Sequence, residues 1–181
     1  MRALMRSVLI VSVCLSAVTT SAAAQDGKAN NRNGLWGGIG FGYGMLGILD
    51  CPGGGCDTEG GLSGNARVGF TPSPSFRVAI GTNGWYKDVE GTGFSTGLIS
   101  AQGLYYPGAN DFFILGGIGL ATANCSGCDL KTGAGAVLGV GYDFPLNKSG
   151  SLALTPYANW VVSTLEANPY ILQFGLGLTF N

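Results

Sequence analysis

Large apolar residues alternate with glycine or polar residues along most of this chain, and the alternation is clearest between Leu35 and Met45. Within that segment, glycine occupies every even position from Gly38 to Gly44, and the large residues at odd positions are Leu35, Ile39, Phe41, Tyr43 and Met45. A period of two places the two sets on opposite faces of an extended strand. The segment is therefore predicted to be a β-strand with one bulky apolar face and one face almost without side chains.

The alternation recurs often enough to predict a whole sheet. Each run has about ten residues, the length with which a tilted strand crosses a bilayer. In the fourth run Leu98 and Ile99 are adjacent, so the sequence leaves its phase open. The seven later runs are 62–70, 76–86, 94–106, 112–120, 134–144, 152–160 and 170–180.

The connections between the runs add a second signal. Those after the second, fourth and sixth runs are short and carry proline, as in 71–75, 107–111 and 145–150, whereas the others are expected to be longer and hold most of the acidic residues. Short turns on one side and long loops on the other are typical of a membrane barrel. Aromatic residues should form two girdles, with Phe70, Phe76, Tyr106, Phe112, Phe144 and Phe180 at the turn end and Tyr43, Tyr86, Trp160 and Tyr170 at the loop end.

These patterns predict an all-β fold, an eight-stranded antiparallel up-and-down transmembrane β-barrel. The chain resembles the OmpA/OmpX-like family of small outer-membrane barrels through its glycine-alternating first strand, its Tyr105-Tyr106-Pro107 turn entry, the strand around 116–119 and its last strand. The resemblance implies that the barrel-insertion machinery reads aromatic residues of the last strand, here Tyr170, Phe174 and Phe180. Asn181 follows Phe180, which departs from the terminal aromatic residue that is usual in that family.

The amino terminus has the features of a secretory signal peptide. Arg2 and Arg6 precede an apolar run from Val8 to Val18, and small residues end at Ala24, after which cleavage is expected. The predicted organisation is a signal peptide over 1–24, a short periplasmic segment over 25–33 and an outer-membrane barrel over 34–181. The apolar run is too short to be a retained membrane helix.

The chain contains no histidine, which argues against the hydrolases and acyltransferases that activate a nucleophile or water with an imidazole. No paired carboxylates share an inward face, so we expect no enzyme, no cofactor and no metal site. With 9 basic and 10 acidic residues, the chain also lacks the basic excess of a nucleic-acid-binding protein. The glycines of 37–42 continue the strand alternation and precede no helix, so they do not form a phosphate-binding loop.

Four cysteines follow the predicted cleavage site. An even number in an exported chain favours disulfides, and we favour Cys51 with Cys56 and Cys125 with Cys128, although four cysteines allow three pairings. The Cys125–Cys128 spacing also suits a redox or metal pair. That reading is weaker because no histidine and no strand-to-helix setting accompany it.

Three charged residues are predicted to point into the barrel at one height near the turn end: Arg67, Arg77 and Asp143. An eight-stranded barrel is narrow enough for side chains to fill, so the favoured interpretation is a plug in which Asn65, Tyr157 or Gln173 supply hydrogen bonds. The alternative is a selectivity constriction in a narrow pore.

The preferred functional hypothesis is a non-catalytic, monomeric barrel that displays external loops and contacts outer-membrane lipid and lipopolysaccharide. A narrow pore for small solutes or ions is the first alternative, and a secreted lipocalin-like binder is the second. The loops are acidic, with no regular calcium-binding spacing, through Asp50, Asp57, Glu59, Asp88, Glu90, Asp129 and Glu166.

Overall fold

The structure, a computed structural model, describes residues 32–50, 57–89, 91–125, 127 and 129–181. The predicted signal peptide, Cys51, Cys56 and Cys128 lie outside the described residues. The strands are β1 (Gly34–Ile48), β2 (Glu59–Ser73), β3 (Phe76–Val89), β4 (Thr92–Tyr105), β5 (Phe112–Cys125), β6 (Lys131–Tyr142), β7 (Phe144–Pro145), β8 (Leu152–Ser163) and β9 (Pro169–Phe180), with one 3-10 turn at Pro107–Ala109. Within the described residues, no helix is long and apolar enough to cross a membrane.

All neighbouring strands are antiparallel, and the sheet closes on itself. β1 pairs with both β2 and β9, while β6 pairs with both β5 and β8. β7 resumes after Asp143 and pairs with β8, so β6 and β7 together form one wall of the barrel. The predicted eight-stranded up-and-down barrel is therefore confirmed.

The alternation decides which face of each strand is exposed. On β1, Leu35 and Phe41 are 79% and 63% exposed, whereas Trp36 between them is 4% exposed. Gly42 must lack a side chain, because a Cβ there would lie 2.0 Å from the carbonyl oxygen of Phe174 on β9. At Gly42 the glycine face of β1 thus leaves space for the backbone of the adjacent strand β9.

The phase of the fourth run, which the sequence left open, is now assigned. Leu98 is 1% exposed and points inward, and Ile99 is 58% exposed and points outward. Both residues are apolar because this part of the interior is itself apolar. Alternation of polarity therefore could not distinguish the two faces.

Three expectations about the turns and girdles need correction. Tyr106 is fully buried rather than part of the turn-end girdle, because it follows the last residue of β4 and turns into the barrel opening. The connections expected to be long are mostly short. Those at 90–91, 126–130 and 164–168 span two, five and five residues, against six in each of the turns 106–111 and 146–151, so only 49–58 is a long loop. β2 continues to Ser73 through a register shift after Phe70, so the first turn is shorter than 71–75.

Candidate functional site

The described interior of the barrel is closely packed. Part of its contents can be grouped into three layers, with further buried apolar side chains, such as Leu104, Phe113 and Leu115, in the turn-end half. We call the layers the turn-end network (Arg32, Arg77, Tyr106, Asp111 and Asp143), the amide layer (Asn83, Gln102, Asn159 and Gln173) and the loop-end layer (Trp85, Leu98, Ala121, Val161, Leu165 and Ile171). Nearly all of these side chains are buried. The predicted inward direction of Arg77 and Asp143 agrees with their 1% and 3% exposure.

Two ion pairs hold the turn-end network. Arg77 Nη1 lies 3.6 Å from Asp143 Oδ2, and Arg32 Nη2 lies 2.7 Å from Asp111 Oδ1. The Asp143 carboxylate also accepts hydrogen bonds from the Tyr106 hydroxyl at 3.0 Å and from the Thr155 hydroxyl at 2.8 Å. Each buried carboxylate of the network is thus matched by a cation, as burial of charge requires.

Tyr106 is the centre of the turn-end network. The Arg32 guanidinium stacks over its ring at 4.0 Å from the centroid, and Arg77 Nη1 donates to its hydroxyl at 3.2 Å. Burial raises the pKa of Tyr106, which lies beyond the end of β4, and the adjacent Asp143 carboxylate raises it further. The hydroxyl therefore stays protonated and donates to Asp143.

Two residues that help to close the turn end of the barrel were not predicted to lie there. Arg32 precedes the first strand in sequence, yet it is 2% exposed and also donates to the Ala109 carbonyl at 3.4 Å. Asn181, the last residue, accepts a hydrogen bond from Arg77 and donates to the Gly150 carbonyl at 3.0 Å. Sequence alternation carries no signal for either, because both lie outside the strands.

The amide layer connects Arg67 to the far wall of the barrel. Arg67 Nε donates to Gln102 Oε1 at 3.0 Å, and Gln102 Nε2 donates to Asn83 Oδ1 at 3.2 Å. Asn83 Nδ2 then donates to Gln173 Oε1 at 2.9 Å, an oxygen that also accepts from Asn159 Nδ2 at 3.4 Å. Five inward side chains from five strands form one continuous chain of hydrogen bonds.

The hydrogen-bond partners predicted for the arginines were wrong. Gln173 binds Asn83 and Asn159 rather than an arginine. Asn65 Nδ2 and Tyr157 Oη make no hydrogen bond of standard geometry among the described residues. Which inward side chains meet depends on the register between strands. The sequence of one strand alone does not determine that register.

The loop-end layer closes the interior with apolar side chains. Trp85, Leu98 and Ile171 are 4%, 1% and 3% exposed, and Leu165 from the β8–β9 connection covers them at 6%. The Trp85 indole satisfies its polar group by donating to the Gly44 carbonyl at 3.0 Å. This layer contains no charged side chain.

The remaining predicted residues lie on the outside or in the loops. Phe174 and Phe180 are 50% and 51% exposed on β9, with Tyr170 half-buried on the same face. Cys125 is disulfide-bonded. Its predicted partner lies outside the described residues, so the pairings remain predictions.

A closed antiparallel barrel with apolar residues outside and charged residues inside is the inverse of a soluble domain. Exposed side chains on its wall include Leu35, Val68, Ile80, Ile118 and Leu120, each at least 64% exposed. Such a wall suits contact with lipid, as in integral outer-membrane β-barrels. It does not suit the secreted lipocalin-like alternative, which would need polar residues on these faces.

Solved outer-membrane barrels have this fold. Neisserial surface protein A matches with a TM-score of 0.57 at 14% identity, over 81% of this chain and 96% of its own. Ail, the attachment invasion locus protein of Yersinia pestis, matches with a TM-score of 0.58 at 12% identity, over 82% and 99%. No protein-family model and no curated protein matches the sequence. The chain is thus an outer-membrane β-barrel by fold, as its resemblance to OmpA/OmpX-like barrels predicted.

Proposed function

We propose that this protein is a non-conducting outer-membrane scaffold whose rigid barrel displays acidic loops at the cell surface. The observation that carries the proposal is the closely packed interior. At the level of the turn-end network, the free space is a cavity of about 10 Å³, which is room for about one water molecule. A continuous water path would have to pass both this network and the apolar loop-end layer.

The layered interior also makes the narrow-pore alternative weaker. A selectivity constriction needs charged side chains beside an open path. Here Arg77 is held by Asp143, Tyr106 and Asn181, and Arg67 is held by Gln102. The arginines are therefore braced within the barrel rather than arranged around an opening.

Surface display is supported by the chemistry of the loops. The expected loop regions carry seven acidic residues and only two lysines, Lys87 and Lys131. Lys87 is already paired with Glu59. Ail has been solved with the heparin analogue sucrose octasulfate, but an excess of carboxylates disfavours a polysulfated ligand on this chain.

We favour a contact with lipopolysaccharide that divalent cations mediate. Loop carboxylates and lipid phosphates repel each other directly, and a hard divalent cation can bind oxygen ligands from both. The protein would then stabilise the outer leaflet around itself, which fits a structural and surface-interaction role without catalysis.

Two measurements test the proposal. In planar bilayers, the inserted protein should show no steady conductance, with insertion verified by the faster gel migration of the unboiled barrel. With the barrel inserted in nanodiscs free of lipopolysaccharide, binding of added lipopolysaccharide should need Mg²⁺ and be abolished by EDTA. The matched variant carries Asp50→Asn, Asp57→Asn and Asp88→Asn and should bind weakly in either condition. Steady conductance would refute the scaffold, and EDTA-resistant binding would refute the cation bridge.

A further inference from the structure

Arg67 is the one arginine among the described residues that has no carboxylate partner within ion-pair distance. It is 8% exposed, and its Nε donates to the neutral Gln102. Its Nη2 has no hydrogen-bond partner among the described residues. A guanidinium cannot lose its proton in a protein, so its burial calls for a counter-charge.

Three more donors without a hydrogen bond of standard geometry accompany Arg67. Trp36 Nε1, Asn65 Nδ2 and Tyr157 Oη are buried and make no hydrogen bond of standard geometry in the described part of the chain, although Asn65 and Tyr157 interact with each other. All three side chains line the same cavity as Arg67, with a volume of about 10 Å³. The indole and the amide nitrogen can only donate, as can the guanidinium, whereas the phenol can donate or accept.

The donors are close together because glycine leaves room for them. A Cβ on Gly40 would lie 2.6 Å from the Tyr157 ring and 2.9 Å from Asn65 Nδ2. Gly40 on β1 pairs with Asn65 on β2 and with Gly177 on β9, so it lies between the strand that carries Asn65 and the strand next to Tyr157 on β8. The small residue thus lets both side chains occupy the same part of the interior.

Asp143 also lines this cavity, but its charge is already compensated. Its Oδ1 accepts from Thr155 and its Oδ2 accepts from Tyr106, with Arg77 alongside. Arg32 is likewise matched by Asp111. The described interior therefore holds three arginines and two carboxylates, an excess of one positive charge.

We propose that Arg67, Trp36, Asn65 and Tyr157 form a buried site for one small monovalent anion of the halide class. An anion in this cavity would neutralise the uncompensated charge of Arg67 and accept from donors that line the cavity. A water molecule would satisfy the donors but not the charge. With a volume of about 10 Å³, the cavity suits a monatomic ion better than sulfate, phosphate or a carboxylate. The proposal concerns the interior and does not depend on the function of the loops.

The first test uses the whole protein purified in detergent. A ligand that binds only the folded state stabilises it in a saturable way. The midpoint of thermal unfolding should rise by a few degrees when gluconate is replaced by chloride or bromide at constant ionic strength. Arg67→Met should abolish this dependence. Lys87→Met removes a cation at the loop end and should retain it.

A milder variant and a direct observation keep the test decisive if Arg67→Met does not fold. Tyr157→Phe keeps the ring and removes one donor. The chloride concentration that gives half of the maximal stabilisation should therefore rise several-fold. Crystals grown in bromide should show an anomalous peak within hydrogen-bonding distance of Arg67. Equal stabilisation by gluconate and chloride would overturn the proposal. So would crystals grown in bromide that show a water molecule at this position and no anomalous peak.

Discussion

The two ends of the barrel interior are closed by opposite chemistry. At the turn end, charged groups from separate parts of the chain meet, with Arg77, Asp143 and Arg32 fixed by directional contacts. At the loop end, Trp85, Leu98 and Ile171 pack without any charge. Apolar side chains adapt to each other more easily than ion pairs, whose energy depends on geometry.

This difference indicates different roles for the two ends. The turn-end network joins residues from the segment before β1, from β3, from the β4–β5 turn and from the junction of β6 and β7, so it forms only when the barrel has closed in the right register. The loop-end layer contributes burial and excludes water, but many packings would satisfy it. The network thus specifies the closed barrel, whereas the apolar layer seals it.

The largest expected effect comes from breaking the turn-end network at Arg77. Arg77→Met leaves Asp143 buried without its cation and should lower the free energy of unfolding by about 3–5 kcal/mol. Urea unfolding in detergent, followed by tryptophan fluorescence, measures this loss. The double variant with Asp143→Leu removes both charges and should recover much of the stability. If the double variant is no more stable than Arg77→Met, the pair does not act as proposed.

The loop-end layer offers a comparison between two adjacent residues. Leu98→Ala creates a cavity in a packed interior and should cost about 3 kcal/mol. Ile99→Ala removes a similar volume from the lipid-facing side, 58% exposed, and should cost less than about 1 kcal/mol. The same urea experiment distinguishes the two. Equal losses of unfolding free energy would contradict the assignment of Leu98 to the inner face of β4 and of Ile99 to the outer face.

Arg32 tests whether the segment before β1 belongs to the network. Arg32→Ala removes the ion pair to Asp111 and the stacking on Tyr106, and should cost about 2 kcal/mol. Arg32→Lys retains the charge but not the planar stacking group, so it should lose about half as much. Cleavage at Lys28 by a lysine-specific protease, which does not act at Arg32, should accelerate in the alanine variant. If neither the cleavage rate nor the free energy of unfolding changes, Arg32 does not belong to the turn-end network.

The sequence predicted the outer surface of this barrel better than its interior. Lipid contact imposes one rule on every strand, so alternation correctly assigned outward residues such as Phe41 and Ile80. The inward directions of Arg67, Arg77 and Asp143 followed from the same rule. The interior obeys no single polarity, which is why the phase of Leu98 was ambiguous. The direction of Tyr106 and the partnership of Arg67 with Gln102 depend on turn geometry and cross-strand register.

The smallest expected effect concerns the last residue, where folding and stability make different demands. A variant made to end at Phe180, without Asn181, carries the aromatic terminus that the resemblance associates with recognition by the insertion machinery. The deletion also removes an acceptor for Arg77, which should cost about 1 kcal/mol. We therefore expect faster assembly, measured by the appearance of the heat-modifiable form, together with a slightly lower unfolding free energy. Asn181→Ala is the matched control, since it removes the hydrogen bond but leaves Phe180 in the penultimate position. Faster assembly of both variants would show that the asparagine side chain, rather than its position after Phe180, slows insertion.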